Sequence, residues 1–248
     1  MNFVFYSEKV NKTVSNNFLA AVTLTVISVL IIVGALSAFK SADKIYYDNA
    51  SPCFIIDPGH GGEDGGAVAS DGTQEKDINL KIALKLNDIL TSLGFNTSMT
   101  RTTDTSISDS GTEGIREIKI SDMHNRLEIC NASDDNILIS IHQNKFEQSK
   151  YSGAQMFYST NTSQSALLAQ YIQESIVSLL QPENTREIKP ADKNIYLLYN
   201  AKVPAVICEC GFISNEQELN NLKDEEYQTK VAIAIAKGII EYCENCIL

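Results

Sequence analysis

Three kinds of hydrophobic pattern follow one another along the chain. The first is Phe18 to Phe39 (FLAAVTLTVISVLIIVGALSAF), 22 residues without a charge. As a helix it spans roughly 30 Å, about the thickness of a hydrocarbon core. It is apolar on every side, which predicts one N-terminal hydrophobic helix at 18–39, a transmembrane anchor or a signal segment. Lys9 and Lys12 lie in the short tail at 1–17 that precedes it. Ala35-Leu36-Ser37 offers a small-residue cleavage site, whereas the length of the run favours an uncleaved anchor. Lys40 and Lys44 nearly balance the lysines before the segment, so charge does not fix its orientation. Residues 40–52 read as a polar linker, and 53–248 as the folded domain.

Within that domain short apolar runs alternate with stretches of helical period. Cys53–Asp57, Phe95–Thr100, Asn136–Ile141, Ala154–Tyr158 and Pro204–Cys210 read as strands. Ile78–Leu93 places apolar residues close to a 3.6-residue period and ends at Gly94. Ile115–Cys130, Ser165–Leu180 (closed by Pro182) and Glu225–Cys243 read as further helices, and the Asp/Ser/Thr/Gly-rich stretch at 104–114 as a loop or lid. Strands alternating with helices predict an α/β domain, layered αβα around a mixed, largely parallel central sheet. In such sheets chemistry collects beyond the carboxyl ends of the strands. Asp57 leads to His60, Ser140-Ile141 to His142, and Ile207-Cys208 to Glu209.

Composition narrows the classes. The formal net charge of −11 and the lack of a basic run argue against nucleic-acid binding, which needs clustered Lys and Arg. Of the 6 cysteines, Cys53, Cys208 and Cys210 lie in apolar runs and read as small buried hydrophobes. Cys243-x-x-Cys246 is half of a zinc-ribbon pattern with no second pair to complete it, and leaves a local disulfide open.

Four positions invite chemistry. His60 sits among five glycines at 59–66, which give sharp turns and leave the ring open. The glycine spacing is neither a Rossmann nor a P-loop pattern. His142 sits where a buried strand surfaces, at an equivalent edge of the sheet. Glu75 precedes a helix, where a carboxylate also simply favours the helix dipole. Taken with the two histidines, it completes a two-His-one-carboxylate set that suits a catalytic zinc ion with a fourth position for water. Glu209 lies in an apolar strand between two cysteines, and strand alternation turns it to the opposite face from both. It is either a proton-transfer group or half of a structural ion pair with Arg126 or Arg186. Arg101 and Arg126 are candidates for a substrate carboxylate, or ordinary salt-bridge partners. His124 reads as a surface residue.

Ile56-Asp57-Pro58-Gly59-His60-Gly61-Gly62, then Glu75, Ser140-Ile141-His142-Gln143-Asn144 and Glu209-Cys210-Gly211-Phe212-Ile213-Ser214-Asn215 resemble the motifs of the zinc-dependent N-acetylmuramoyl-L-alanine amidases. The likeness runs in order over 53–245. It implies an αβα zinc-hydrolase fold of the phosphorylase/peptidase-like type, Zn2+ on His60, Glu75 and His142, Glu209 as the catalytic base, and Asn144 as a further substrate contact. It also implies peptidoglycan as substrate, with hydrolysis of the bond from N-acetylmuramic acid to L-alanine. Ser121-Asp122, Asn125-Arg126, Ile195-Tyr196-Leu197-Leu198 and Val203-Pro204-Ala205 look like the germination-specific subgroup, which acts on spore cortex towards muramic-δ-lactam. A vegetative autolysin of cell separation and a catalytically silent wall-binding protein are the rival expectations. The resemblance places the domain outside the cytoplasm, secreted or membrane-held at the forespore surface, with an activating protein partner or a second copy as companions.

Overall fold

The computed structural model describes residues 52–246. The tail at 1–17, the hydrophobic segment at 18–39 and nearly all of the linker fall outside them. Among the described residues no helix is long and apolar enough to cross a membrane.

The elements run β1 (Cys53–Pro58), α1 (Glu75–Ser92), β2 (Asn96–Met99), α2 (Ile115–Cys130), β3 (Asn136–Asn144), β4 (Gln155–Tyr158), α3 (Ser163–Leu179), β5 (Lys189–Pro190), α4 (Tyr196–Asn200), β6 (Ala205–Phe212), α5 (Glu216–Lys223) and α6 (Glu225–Cys246). The six strands form one sheet in the order β2-β1-β3-β6-β4-β5. Neighbours are parallel except β4 and β6, which pair antiparallel. The mixed, largely parallel sheet matches the expectation.

Successive residues of a strand face opposite sides of its sheet, and the central strands are apolar on both. Phe54, Ile56, Ile137, Ile139, Ile141, Val206 and Cys208 pack with Ile78, Ile82 and Leu86 of α1, Leu168 and Ile172 of α3, and Ile235 and Ile239 of α6. Ile55, Leu138, Ala205 and Ile207 face the other way, onto Cys130 of α2 and Leu197 and Leu198 of α4. Burying each such Ile or Leu contributes about 1.5–3 kcal/mol. This alternation explains why the strands read as unbroken apolar runs.

Several boundaries move. β3 continues to Asn144, so His142 lies within the strand and not beyond it. α1 begins at Glu75, which places that carboxylate in the first helical turn. β5, α4 and α5 had no clear signature; they have 2, 5 and 8 residues, too few for a periodic pattern to build up. No disulfide links Cys243 to Cys246.

Candidate metal and proton-transfer site

β1 delivers Asp57 and Pro58 to the carboxyl edge of the sheet, and the chain then turns sharply. His60 adopts φ 62°, the only non-glycine left-handed residue among those described. That backbone costs about 1–3 kcal/mol and must be held by its surroundings. Two buried arginines hold it. Arg126 donates from Nη2 to the His60 carbonyl at 2.7 Å and from Nη1 to the Pro58 carbonyl at 2.9 Å. Arg101 donates from Nε to the Pro58 carbonyl at 2.9 Å and from Nη2 to the Gly59 carbonyl at 3.0 Å. Neighbouring residues must also be small. A Cβ on Gly59 would fall 2.2 Å from the His142 ring, and one on Gly66, at φ +68°, 2.6 Å from Glu75 Oε2.

The turn brings together residues far apart in the chain. His60 Nε2 lies 3.2 Å from Glu75 Oε2, and His142 Nδ1 lies 2.9 Å from Glu75 Oε1. Candidate ligand atoms of the three residues all fall within 4.8 Å of one another, a group that could hold a metal ion. The imidazoles stand edge to face with ring centres 4.9 Å apart. The remaining bonds fix orientation. His60 Nδ1 donates to Asp64 Oδ2 at 2.8 Å. Glu75 Oε1 accepts from the Gln143 N–H at 3.0 Å and from Asn79 Nδ2 at 3.2 Å, and Oε2 accepts from the Ala67 N–H at 2.8 Å.

The electrostatics suit a cation. With its Nδ1 proton on Asp64, a neutral His60 ring aims the Nε2 lone pair at a carboxylate oxygen, and two lone pairs at that distance need a proton or a metal ion between them. Burial opposes charge on His60, but the bonds and charges of Asp64 and Glu75 outweigh it and raise its pKa to about 9. Burial likewise opposes ionisation of Glu75, yet the two imidazoles hold it well below the usual carboxylate range. Two nitrogens, one carboxylate and a second partner for each of His60 and Glu75 form a donor set that fits zinc.

Glu209 projects from β6 directly across from His142, its Cα partner on β3. Its Oε2 is buried and accepts no hydrogen bond among the described residues. Burial, with Glu75 adding and the imidazoles subtracting, pushes its carboxyl up to about 7. Such an orphaned oxygen costs about 1–3 kcal/mol unless a bound molecule satisfies it.

The ion-pair alternative for Glu209 fails on where the arginines go. Arg126 pairs with Asp57 and Asp122, and Arg186 donates to the Ser152 carbonyl and to Gln155. Arg101 and Arg126 are themselves buried, at 4% and 2% exposure. Their donors go to backbone carbonyls, Asp57 and Asp122, so the substrate-carboxylate role expected for them gives way to support of the His60 turn. Asn144 is half-buried on β3, two residues past His142. His124 is exposed, beside Tyr196. Asp64, Asn79 and Gln143 were not anticipated. The spacing His60-x-x-x-Asp64 inside the glycine loop was the available sign for the first.

Residues 54–241 match the family model described as N-acetylmuramoyl-L-alanine amidase. The chain is 40% identical over 187 residues to the germination-specific N-acetylmuramoyl-L-alanine amidase of Bacillus subtilis, covering 75% of this chain and 78% of that one. Among solved structures it resembles the CwlD amidase from Clostridioides difficile, determined in complex with the GerS lipoprotein, at 44% identity and a TM-score of 0.75 over 78% of this chain and 99% of that one. The N-acetylmuramoyl-L-alanine amidase from Clostridium difficile 630 is similar at 29% identity and a TM-score of 0.68, over 79% of this chain and 99% of that one.

Proposed function

This chain belongs to the N-acetylmuramoyl-L-alanine amidase family, and from that membership we propose that it is a zinc enzyme of the spore cortex in which Glu209 moves the protons. The reaction is hydrolysis of the amide joining N-acetylmuramic acid to L-alanine in peptidoglycan, a polymer outside the cytoplasm. The observation that carries the residue assignment is the convergence of His60, Glu75 and His142 beside the unpartnered buried oxygen of Glu209.

His60, Glu75 and His142 are the proposed zinc ligands. Zinc held there supplies Lewis-acid polarisation of the scissile carbonyl and lowers the pKa of a water molecule towards about 7. Glu209 accepts a proton from the attacking water and delivers it to the alanine nitrogen as the carbon–nitrogen bond breaks. The products are a carboxylate on the lactyl group and a free amine on the peptide. Burial disfavours the charged form of Glu209, which helps it take up the proton it later passes on. Asp64 fixes the tautomer of His60, and Asn79 with the Gln143 N–H keeps Glu75 facing both rings. Asn144 is the proposed substrate contact: its side chain is half-buried beside His142 and has no partner among the described residues.

The cortex role is supported by the germination-specific relative. By analogy with the Clostridioides difficile amidase, a lipoprotein is the proposed activating partner. The segment at 18–39 is the proposed membrane anchor, with 40–52 as linker and 53–248 as the catalytic domain. Mass spectrometry of purified peptidoglycan incubated with the protein, with and without a chelator, tests the reading. Free stem peptides that vanish on chelation and return with zinc are expected. Peptide release that withstands complete zinc removal would overturn the metal assignment, and cleavage at any other bond would overturn the reaction.

A further inference from the structure

We propose that the groove between α2 and α4 receives the peptide half of the substrate, an alanine-led peptide with free carboxylates, and that Arg116 pairs with one of them. The inference rests on the amidase reading above and deepens it. The groove has a volume of about 640 Å³, within the range of small-ligand sites. Its apolar lining includes Ile115, Ile120, Met123 and Tyr196, with Arg116 and Lys119 as its cations. Ile115 is 61% exposed and Ile120 46%, a cluster of apolar side chains left in water.

Two observations choose the occupant. The first is continuity with the metal site. Lys119 Nζ lies 2.7 Å from Asp64 Oδ1, and the other oxygen of Asp64 holds His60. Strand alternation also turns His142 and Glu209 to the sheet face that α2 and α4 cover, since Leu138 and Ile207 of the same strands pack there. The groove therefore borders the metal site on the face where a substrate cleaved there would lie.

The second is charge. On a chain of formal net charge −11, the groove carries two cations. Arg116 is exposed and makes no ion pair or hydrogen bond among the described residues. A guanidinium fork without a partner, above apolar side chains, matches carboxylates and methyl groups. A short acidic peptide offers both, and a neutral glycan offers no charge for the fork to pair with.

The test uses the full-length protein, with L-alanyl-γ-D-glutamyl-L-lysine and the same tripeptide with its carboxyls amidated as probes. Calorimetry on the wild type should show the acidic form binding about tenfold more tightly than the amidated one, the effect of one charge-assisted contact. Arg116→Glu should erase that preference and raise KM for peptide release from purified wall about tenfold, with a smaller change in kcat. Arg116→Lys should restore part of both. Zinc content and Tm report whether the variants fold. Wild-type tripeptide discrimination and KM in Arg116→Glu would overturn the inference, as would an Ile120→Asp variant that alters only self-association or capture of a protein partner. If the wild type releases no peptide from wall, the amidase reading fails, while the tripeptide titration still decides the groove.

Discussion

Glu209 and His142 are direct partners on adjacent parallel strands, so the proposed proton-transfer carboxylate and a proposed metal-ligand imidazole share one face of the sheet. Parallel strands stand about 4.8 Å apart, and the pair continues the register of the residues before it, Ser140 with Ile207 and Ile141 with Cys208, ahead of a register shift between His142 and Asn144. Under the proposed mechanism Glu209→Gln keeps the shape and removes the base. It should retain bound zinc and wild-type Tm while lowering kcat about 10²–10⁴-fold. Peptide release and metal content, measured on the same preparation, check this; wild-type turnover would remove Glu209 from the chemistry.

Asp64 touches His60 on the nitrogen that faces away from Glu75. Replacing it with Asn keeps a polar group but loses the charge that fixes the ring. Loss of such a supporting partner typically costs about 10–100-fold in metal affinity. Competition against a zinc chelator should show that loss for Asp64→Asn, with activity recovered at high zinc. An unchanged zinc affinity would make Asp64 a surface residue that happens to pair with Lys119.

Gly59 is required by space more than by backbone angle. The Cβ of Gly59→Ala would lie 2.2 Å from the His142 ring. Either the ring or the β1 turn must move, at about 1–3 kcal/mol for overpacking. Since the ring is a proposed ligand, zinc affinity and kcat should fall along with Tm. A variant with lowered Tm and intact zinc affinity would show that the turn yields and the ring does not.

Much of this site is legible in the chain before folding, and the reason is physical. β1, β3 and β6 are buried on both faces, so each is an apolar run that announces itself, and the polar residues within or just after those runs stand out. His60, His142 and Glu209 become candidates that way. Glu75 was ambiguous, because a carboxylate in a first helical turn has an ordinary explanation; only the convergence of the two imidazoles on it separates the cases. For Arg101 and Arg126 a substrate contact and a salt bridge stay equally open, because a sequence gives an arginine's charge but not its burial. The carboxylate that holds Arg126 in place, Asp57, is 69 positions away. β5 and α4 were invisible for a different reason: their few residues follow no period and are held by neighbours.

The Asp57–Arg126 pair should set the acid stability of the fold and, through it, the His60 turn. Asp57 is buried and accepts from Thr100 Oγ1 at 2.6 Å and Ser140 Oγ at 2.6 Å as well as from Arg126. Burial alone would raise its pKa, but the guanidinium and the two hydroxyls outweigh that and hold it below the ordinary 3.8. A carboxyl depressed on folding contributes stability that is complete above its unfolded pKa and is lost as pH falls through the folded value. Urea unfolding at a series of pH values should therefore show wild-type stability falling below about pH 4, with Asp57→Asn less stable at pH 7 and flatter across the acid range. Arg126→Met should be worse than either, by about 3–5 kcal/mol, because it leaves a buried carboxylate unpaired. The double variant Asp57→Asn/Arg126→Met should recover part of that loss in Tm but not in kcat, since the carbonyls of Pro58 and His60 remain without their donor. Full recovery of both would mean that the pair stabilises the fold without holding the metal-ligand turn in place.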